Sequence, residues 1–579
     1  MTAFPCLPPL ESDILKKYDF FQLYVPDGGG NFIMKELFGC FEDSVITNKL
    51  LHTDIMEEFG GIETLDLHKF EKWRSIEKSC WINRFYFLVP MARTAWLNGD
   101  WKLAQIVVHV IQNFFRQETP PFGKAALKDH WDRVSRRMKE DYNSRSHEEI
   151  VKDETDVEYI WYDMQVGQRL ICFLYASFFV WNFIGKEEKN ELAECLKRHA
   201  RVIADQESFQ APYQDNHQSL RATALWWALP LLKDDSDYED IHYRTKQLCE
   251  WHIMNEFLPS GMLFENSPSY HAFVVWHSRD FLNLAQMRHE AVPEETTERF
   301  TLAGKVLACC GRTDGKSLTV NDSYQYDALP LIESLGSVAP KPDFAVVKPG
   351  GIAVGKLGES YVSMDVSSFI GEFSHYHGGK NSFVYLRKGI PFFEETGCPS
   401  YDHPEFPLCK RSDHHSSLLV DGAGDSHQFG LYGFDGWAEL KYDESWQDQP
   451  QGRSFTSALT SNVPEWKDVV WKRTLLLTEK SLRIIDSVKA GISHDFTLIF
   501  CLAPEVTFSR NGRNCQLTNH GITGYFTIEN PDAILSENAI FNCQLSEPRK
   551  ASQIRAEFKQ CRGFECVSVL CFEEVNNDK

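Results

Sequence analysis

The hydrophobic period of this chain changes near residue 340, from helical spacing before it to strand-like runs after it. That switch restricts the chain to folds with a helix-built first part and a sheet-built second part. Between about residues 75 and 310, stretches such as WINRFYFLVPMARTAWLNGDWKLAQIVVHVIQNFFRQ place apolar residues three and four apart. Asn98-Gly99-Asp100 interrupts that stretch, which predicts a helix, a tight turn and a second helix. The same spacing returns in YIWYDMQVGQRLICFLYASFFVWNFIG, HQSLRATALWWALPLL, YRTKQLCEWHIMNEFL and YHAFVVWHSRDFLNLAQMRH. Several of these helices are apolar on more than one face, as suits helices held between neighbours. Helical hairpins joined by short turns predict stacked or toroidal pairs, and the absence of a fixed-period repeat argues against a regular solenoid.

The Pro- and Gly-rich SVAPKPDFAVVKPGGIAVGKL reads as a linker leading into strands. Short β-prone runs follow, among them GESYVSMDVSSF, NSFVYLRKG, SSLLVDGAG, TLLLTEKSLRIIDSV and HDFTLIFCLAP, each bounded by turn residues. They predict a large β-sandwich. Alternation over Tyr361–Val366 predicts a strand buried on one face. The first 70 or so residues are mixed and receive no element.

Charge and composition narrow the function. A formal net charge of −22 is the wrong sign for a nucleic-acid binder. The longest apolar run, Leu170 to Ile184, contains Asn182 and falls short of the ~18–20 residues of a membrane span, so it reads as a buried helix. The N-terminal MTAFPCLPPLESDILKKYDF shows no signal peptide. A cytoplasmic protein is therefore expected, with a periplasmic or secreted one still open if a leader has been removed. The 16 cysteines are scattered without paired CxxC spacing, so buried thiols are expected. The 41 Phe, 20 Tyr and 15 Trp include faces suited to sugar rings, although most must be core.

Three clusters hold residues able to do chemistry. Asp215-Asn216-His217 precedes a predicted helix, where Asp or Asn caps free N–H groups, and where an anion could also bind. Glu265-Asn266-Ser267-Pro268-Ser269-Tyr270-His271 opens the next helix. The third runs through FSHYHGGKNSFVYLRKG, EETGCPSY and RSDHHSSLLVDG, and in an extended segment His375 and His377 would point to one side. Two His, a carboxylate and a third His from His414 or His415 would suffice for a zinc-type site, whereas hydrogen-bonded buried histidines are the alternative.

Together these strings, in this order, resemble the heparinase II/III-like polysaccharide lyases: WINRFYFL, WYDMQVGQRL, DNHQSLRATAL, ENSPSYHAF, the NDS of VNDSY, and SHYHGGKNSFVYLRKGIPFFEETGCPSY followed by RSDHHSSLLVDG. The resemblance covers roughly residues 75–430 by motif. It implies a multidomain α+β fold, with an N-terminal (α/α) incomplete toroid over 1–340, an antiparallel β-sandwich over 341–579, and a site in the cleft between them. Asn216 with His217 would neutralise a substrate carboxylate, Tyr270 would be the principal Brønsted residue, His375 would abstract or relay the C5 proton, and Tyr401 would line the cleft. Arg221, Lys380, Arg411 and His271 are the further candidates for substrate contact. His377, Glu395 and His415 would hold one structural divalent metal, zinc first, manganese or calcium otherwise. No organic cofactor is implied. Gly379 stands where the family often has Asp, Glu395 where it has Asp, and Ser416 where it has Asn.

These residue types suit β-elimination. Removing a proton beside a uronate carboxylate requires that the carboxylate be neutralised, that a base take the C5 proton, and that an acid protonate the departing O4. The expected partner is an acidic polysaccharide, a glycosaminoglycan such as heparin or heparan sulfate, hyaluronan or chondroitin sulfate, with alginate or another uronan as the alternative. Neither nucleic acid nor a membrane is expected, and a monomer and a homodimer are both compatible. A glycoside hydrolase would need two flanking carboxylic acids, for which Glu265 and Asp322 are candidates. A non-catalytic carbohydrate-binding protein would leave the Asn/Tyr/His set without a purpose.

Overall fold

The computed structural model describes residues 4–6, 42–52, 61, 82–144, 160–207, 210–335, 342–371, 375–399, 401, 403–429, 433–542 and 548–572. Most of the mixed first 70 residues, and residues 337–341 of the expected linker, lie outside that set. Helices come first: α1 Asp43–His52, α2 Leu88–Asn98, α3 Trp101–Gln117, α4 Lys124–Ser144, α5 Met164–Val180, α6 Lys186–Glu207, α7 Asn216–Ala228, α8 Tyr238–Glu256, α9 Pro268–Met287 and α10 Glu294–Cys310. Antiparallel strands follow, as the change of period predicts. No described helix is long and apolar enough to cross a membrane.

The turn between α2 and α3 forms where expected, and each of its residues has a reason. Gly99 closes α2 in the left-handed region at φ 66°, which a Cβ would disfavour. Asp100 then caps α3, its side chain accepting from the N–H groups of Lys102 and Leu103. The apolar run around Leu170 is α5, buried on nearly every side and packed against α2, α3, α6 and α7.

Contacts divide the chain into two compact units, 1–257 with 272–301, and 258–271 with 302–579. The sheet unit thus includes residues 258–271 and 302–335, which the boundary at 340 placed in the helical half. Periodicity reports that a segment is helical but not which core it joins. Here Val306, Cys309 and Cys310 at the end of α10 pack with Met262, Leu318 and Val320 onto Ile352, Val354, Tyr361, Val384 and Leu386.

Those last residues lie on a five-stranded antiparallel meander, β1 Phe344–Val347, β2 Ile352–Leu357, β3 Ser360–Asp365, β4 Phe383–Arg387 and β5 Ile390–Phe393. Its other face, through Ala353, Val362, Met364, Phe383 and Tyr385, joins the main core with Phe455, Trp471 and Phe500 of the larger, eleven-stranded sheet and with Trp466 in a turn between its strands. Every residue of β3 is buried as a result, whereas alternation predicts a half-buried strand. The covering face comes from residues distant in sequence, so local pattern does not reveal it. No cysteine among the described residues forms a disulfide.

Candidate active site

The sheet unit assembles a site from four short segments. Tyr270 lies in the first turn of α9, which starts at Pro268, a residue suited to that position. His375 and His377 lie between β3 and β4, and Tyr401 follows β5. Asp322 lies in the Asn-Asp-Ser turn after α10, where Asn321 adopts φ 57°.

Stacking brings Tyr270 and His375 together, with ring centroids 3.8 Å apart and an interplanar angle of 18°. The Tyr270 and Tyr401 hydroxyls are 2.5 Å apart, and the Tyr401 hydroxyl is 3.2 Å from His375 Nδ1. On the other ring nitrogen, Glu265 Oε2 stands 3.7 Å from His375 Nε2, beyond hydrogen-bond distance. Burial pushes the Tyr270 hydroxyl well above its ordinary range. Its hydrogen bond with Tyr401 offsets part of that rise, while Asp322, Cys398 and Glu265 add to it.

His375 and His377 do point to one side, and Asp322 is what they meet there. His375 Nδ1 is 3.0 Å from Asp322 Oδ2, and His377 Nε2 is 2.7 Å from Oδ1. Lys410 Nζ approaches Oδ2 at 3.3 Å. Burial alone would raise the Asp322 carboxyl, but Lys410 and the two imidazoles outweigh it and hold the group well below the usual carboxylate range. In the sequence, Asp322 stands in the Asn-Asp-Ser string of the family resemblance and as half of a hydrolase pair, with no catalytic role assigned to it. Its place in the Asn-Asp-Ser turn was the available signal.

The metal ligand set does not assemble. His377 Nδ1 and Glu395 Oε1 are buried without hydrogen-bond partners, which would suit an ion. His415, however, spends both nitrogens, Nδ1 on Glu395 Oε2 at 2.6 Å and Nε2 on the Cys409 carbonyl at 2.9 Å. Among the described residues no group of three His, Cys, Asp or Glu side chains is placed to hold a metal. Gly379 explains part of the departure from the family. Its φ is +79°, and a Cβ there would lie 2.5 Å from His415 Cβ, leaving no room for an aspartate.

All four expected substrate contacts have other partners. Lys380 is fully buried, with Nζ 2.6 Å from Asp365 Oδ2, 2.7 Å from Asn321 Oδ1 and 3.1 Å from Ser367 Oγ. His271 is also fully buried, its Nδ1 accepting from Leu263 N and its Nε2 meeting the Ala303 carbonyl, and burial lowers its pKa to about 4. Arg221 is buried in the helical unit, bonded to Asp163 and Gln210 and lying over the Trp131 ring. Arg411 stays at the surface, paired with Asp413 at 2.6 Å.

The helical unit carries Asn216 and His217 at the start of α7. Asp215 caps this helix by accepting from His217 N, which is the local role that the triplet suggests. Asp163, at a positive φ of 56°, places one oxygen 2.5 Å from His217 Nδ1 and the other 2.5 Å from Arg221 Nη1. Burial opposes charge on His217, but Asp163 and Asp215 prevail and raise its pKa to about 9. Asp163 was not among the expected site residues, although it lies within the WYDMQVGQRL string of the resemblance, just before α5.

Residues 44–337 match the Heparinase II/III N-terminus, and residues 339–570 match the Heparinase II/III-like, C-terminal domain. Together these matches span most of the chain and make it a polysaccharide lyase. It belongs to the heparinase II/III-like family. Among solved structures, a heparinase III is similar at 15% identity and TM-score 0.65, covering 87% of this chain and 79% of that one. A heparan sulfate lyase mutant of Pedobacter heparinus shares 14% identity at TM-score 0.58, covering 86% and 77%. The chondroitin AC lyase of Streptomyces coelicolor shares 8% identity at TM-score 0.51, covering 97% and 83%. No curated protein matches the chain.

Proposed function

We propose that the chain cleaves a uronate-containing polysaccharide by β-elimination, with His375 as the base at C5 and Tyr270 as the acid at O4. The observation that carries this reading is the stacking of Tyr270 on His375 with the Tyr401 hydroxyl in reach of both. A neutral imidazole has one ring nitrogen with a lone pair and can accept the C5 proton. Tyr270, whose hydroxyl is kept protonated by burial, suits donation to the departing oxygen. The C5–H electrons then form the C4–C5 double bond as the C4–O4 bond breaks, and no water is consumed. In the helical unit, the cationic His217 beside Asn216 has the charge and donors to suit a uronate carboxylate.

A glycosaminoglycan is the first choice of substrate, since the solved relatives include a heparan sulfate lyase and a chondroitin lyase. Alginate or another uronan is second. The hydrolase alternative loses one of its acids, because Asp322 is committed to two histidines and Lys410. The test is a screen of heparin, heparan sulfate, hyaluronan, chondroitin and dermatan sulfates, and alginate. It follows the ultraviolet absorbance of the unsaturated uronate alongside reducing ends. New reducing ends without that absorbance would mean hydrolysis and overturn the reading.

A further inference from the structure

We propose that Asp322 is a positioning residue of the elimination, holding the Nδ1 proton of His375 so that Nε2 is the nitrogen that meets the sugar. This rests on the lyase reading above. Asp322 is buried to 1% exposure, and its two oxygens meet three donors: His375 Nδ1, His377 Nε2 and Lys410 Nζ. A carboxylate beside an ammonium group accepts hydrogen bonds and does not give them. The shared proton therefore belongs to His375 Nδ1, and the lone pair falls on Nε2. The same division of nitrogens orders the histidine of a Ser-His-Asp triad.

The backbone makes the arrangement stiff. Asp322 N donates to the His375 carbonyl at 3.0 Å, so carboxylate and imidazole are fixed to each other through main chain as well as side chain. Beside it, Asn321 ties the turn down in both directions. Its Nδ2 donates to the Asn266 carbonyl and Ser367 Oγ, and its Oδ1 accepts from His377 N and Lys380 Nζ. Lys380, expected at the substrate, instead helps to hold the turn that carries Asp322.

A second consequence concerns Tyr401. Its hydroxyl is 3.2 Å from a nitrogen that already carries a hydrogen, so it cannot donate there. The Tyr270 oxygen, 2.5 Å away, is an acceptor within reach of that hydroxyl. Asp322 thereby sets the direction of the Tyr401–His375 contact, in which Nδ1 can only donate.

The test has two arms on the full-length protein. The first is ¹⁵N-histidine NMR of the wild type, with His375 assigned by its loss in His375→Ala. The expected result is a protonated Nδ1 and a bare Nε2, and a proton on Nε2 instead would overturn the proposal without any other variant. The second is Asp322→Asn, expected to lower kcat roughly a hundred- to ten-thousand-fold while KM changes by less than about threefold. Activity within fivefold of wild type would overturn it, as would a loss confined to KM. Because Asp322→Asn leaves Lys410 without its carboxylate, Asp322→Asn with Lys410→Met serves as the folded comparison, with the same kcat loss expected. If the wild type cleaves no uronan, the functional reading fails while the tautomer measurement still decides the positioning claim.

Discussion

Replacing Lys380 with alanine tests whether its ammonium holds the core or meets a sugar. Lys380 Nζ, fully buried, makes an ion pair with Asp365 and hydrogen bonds with Asn321 and Ser367. Lys380→Ala would leave the Asp365 carboxylate, 4% exposed, with the Ser367 N–H but no cation. Breaking a buried pair from one side costs about 3–5 kcal/mol, because a desolvated charge is left behind. For a cooperative sheet unit of roughly 300 residues, whose unfolding entropy is near 0.6 kcal/mol/K, that is a fall in Tm of about 5–8 °C. Thermal unfolding followed by near-ultraviolet circular dichroism reads the shift, and KM on the best polymer is measured alongside. Lys380→Met with Asp365→Leu removes both charges and is expected to recover most of the loss. An unchanged Tm with a raised KM would refute the reasoning and return Lys380 to the substrate.

Tyr270→Phe and His375→Ala are each expected to lose at least about two orders of magnitude in kcat while circular dichroism stays unchanged, and wild-type turnover in either would contradict the proposed chemistry. His217 makes stability depend on pH. Its folded pKa of about 9 lies above the unfolded value near 6.5, so its contribution is fully present below about 6.5 and is lost as pH rises through about 9. Denaturant midpoints across that window are expected to fall in the wild type, and less so in His217→Gln; equal slopes would remove Asp163 as its partner. Gly379→Ala combines a left-handed backbone with a close approach to His415 and is expected to cost about 2–4 kcal/mol, measured by urea unfolding.

What could be read from sequence was local or carried by ordered strings. The α2–α3 turn followed from Asn98-Gly99-Asp100, because capping is decided by neighbouring residues. The common direction of His375 and His377 followed from strand geometry, and the family followed from the succession of motifs. Long-range pairing could not be read in the same way. Nothing around Lys380 says that Asp365 and Asn321 converge on it, and nothing in the alternation of β3 says that its outer face is covered by Met262 and the end of α10. Asp322 is the clearest example. Its identity is that of an ordinary turn residue, and its importance comes from three donors contributed by segments 53 to 88 positions away.

The closeness of Gly379 to His415 also shapes how this protein can change. A side chain at 379 has no space while the imidazole at 415 keeps its place, so neither position can be exchanged on its merits alone. Substitutions at the two sites are expected to be strongly non-additive, each harmful first and tolerated only after the other has changed. A carboxylate at 379 is therefore reached only together with a shift of the imidazole at 415. In a mutational library, the glycine and the histidine should be inherited together.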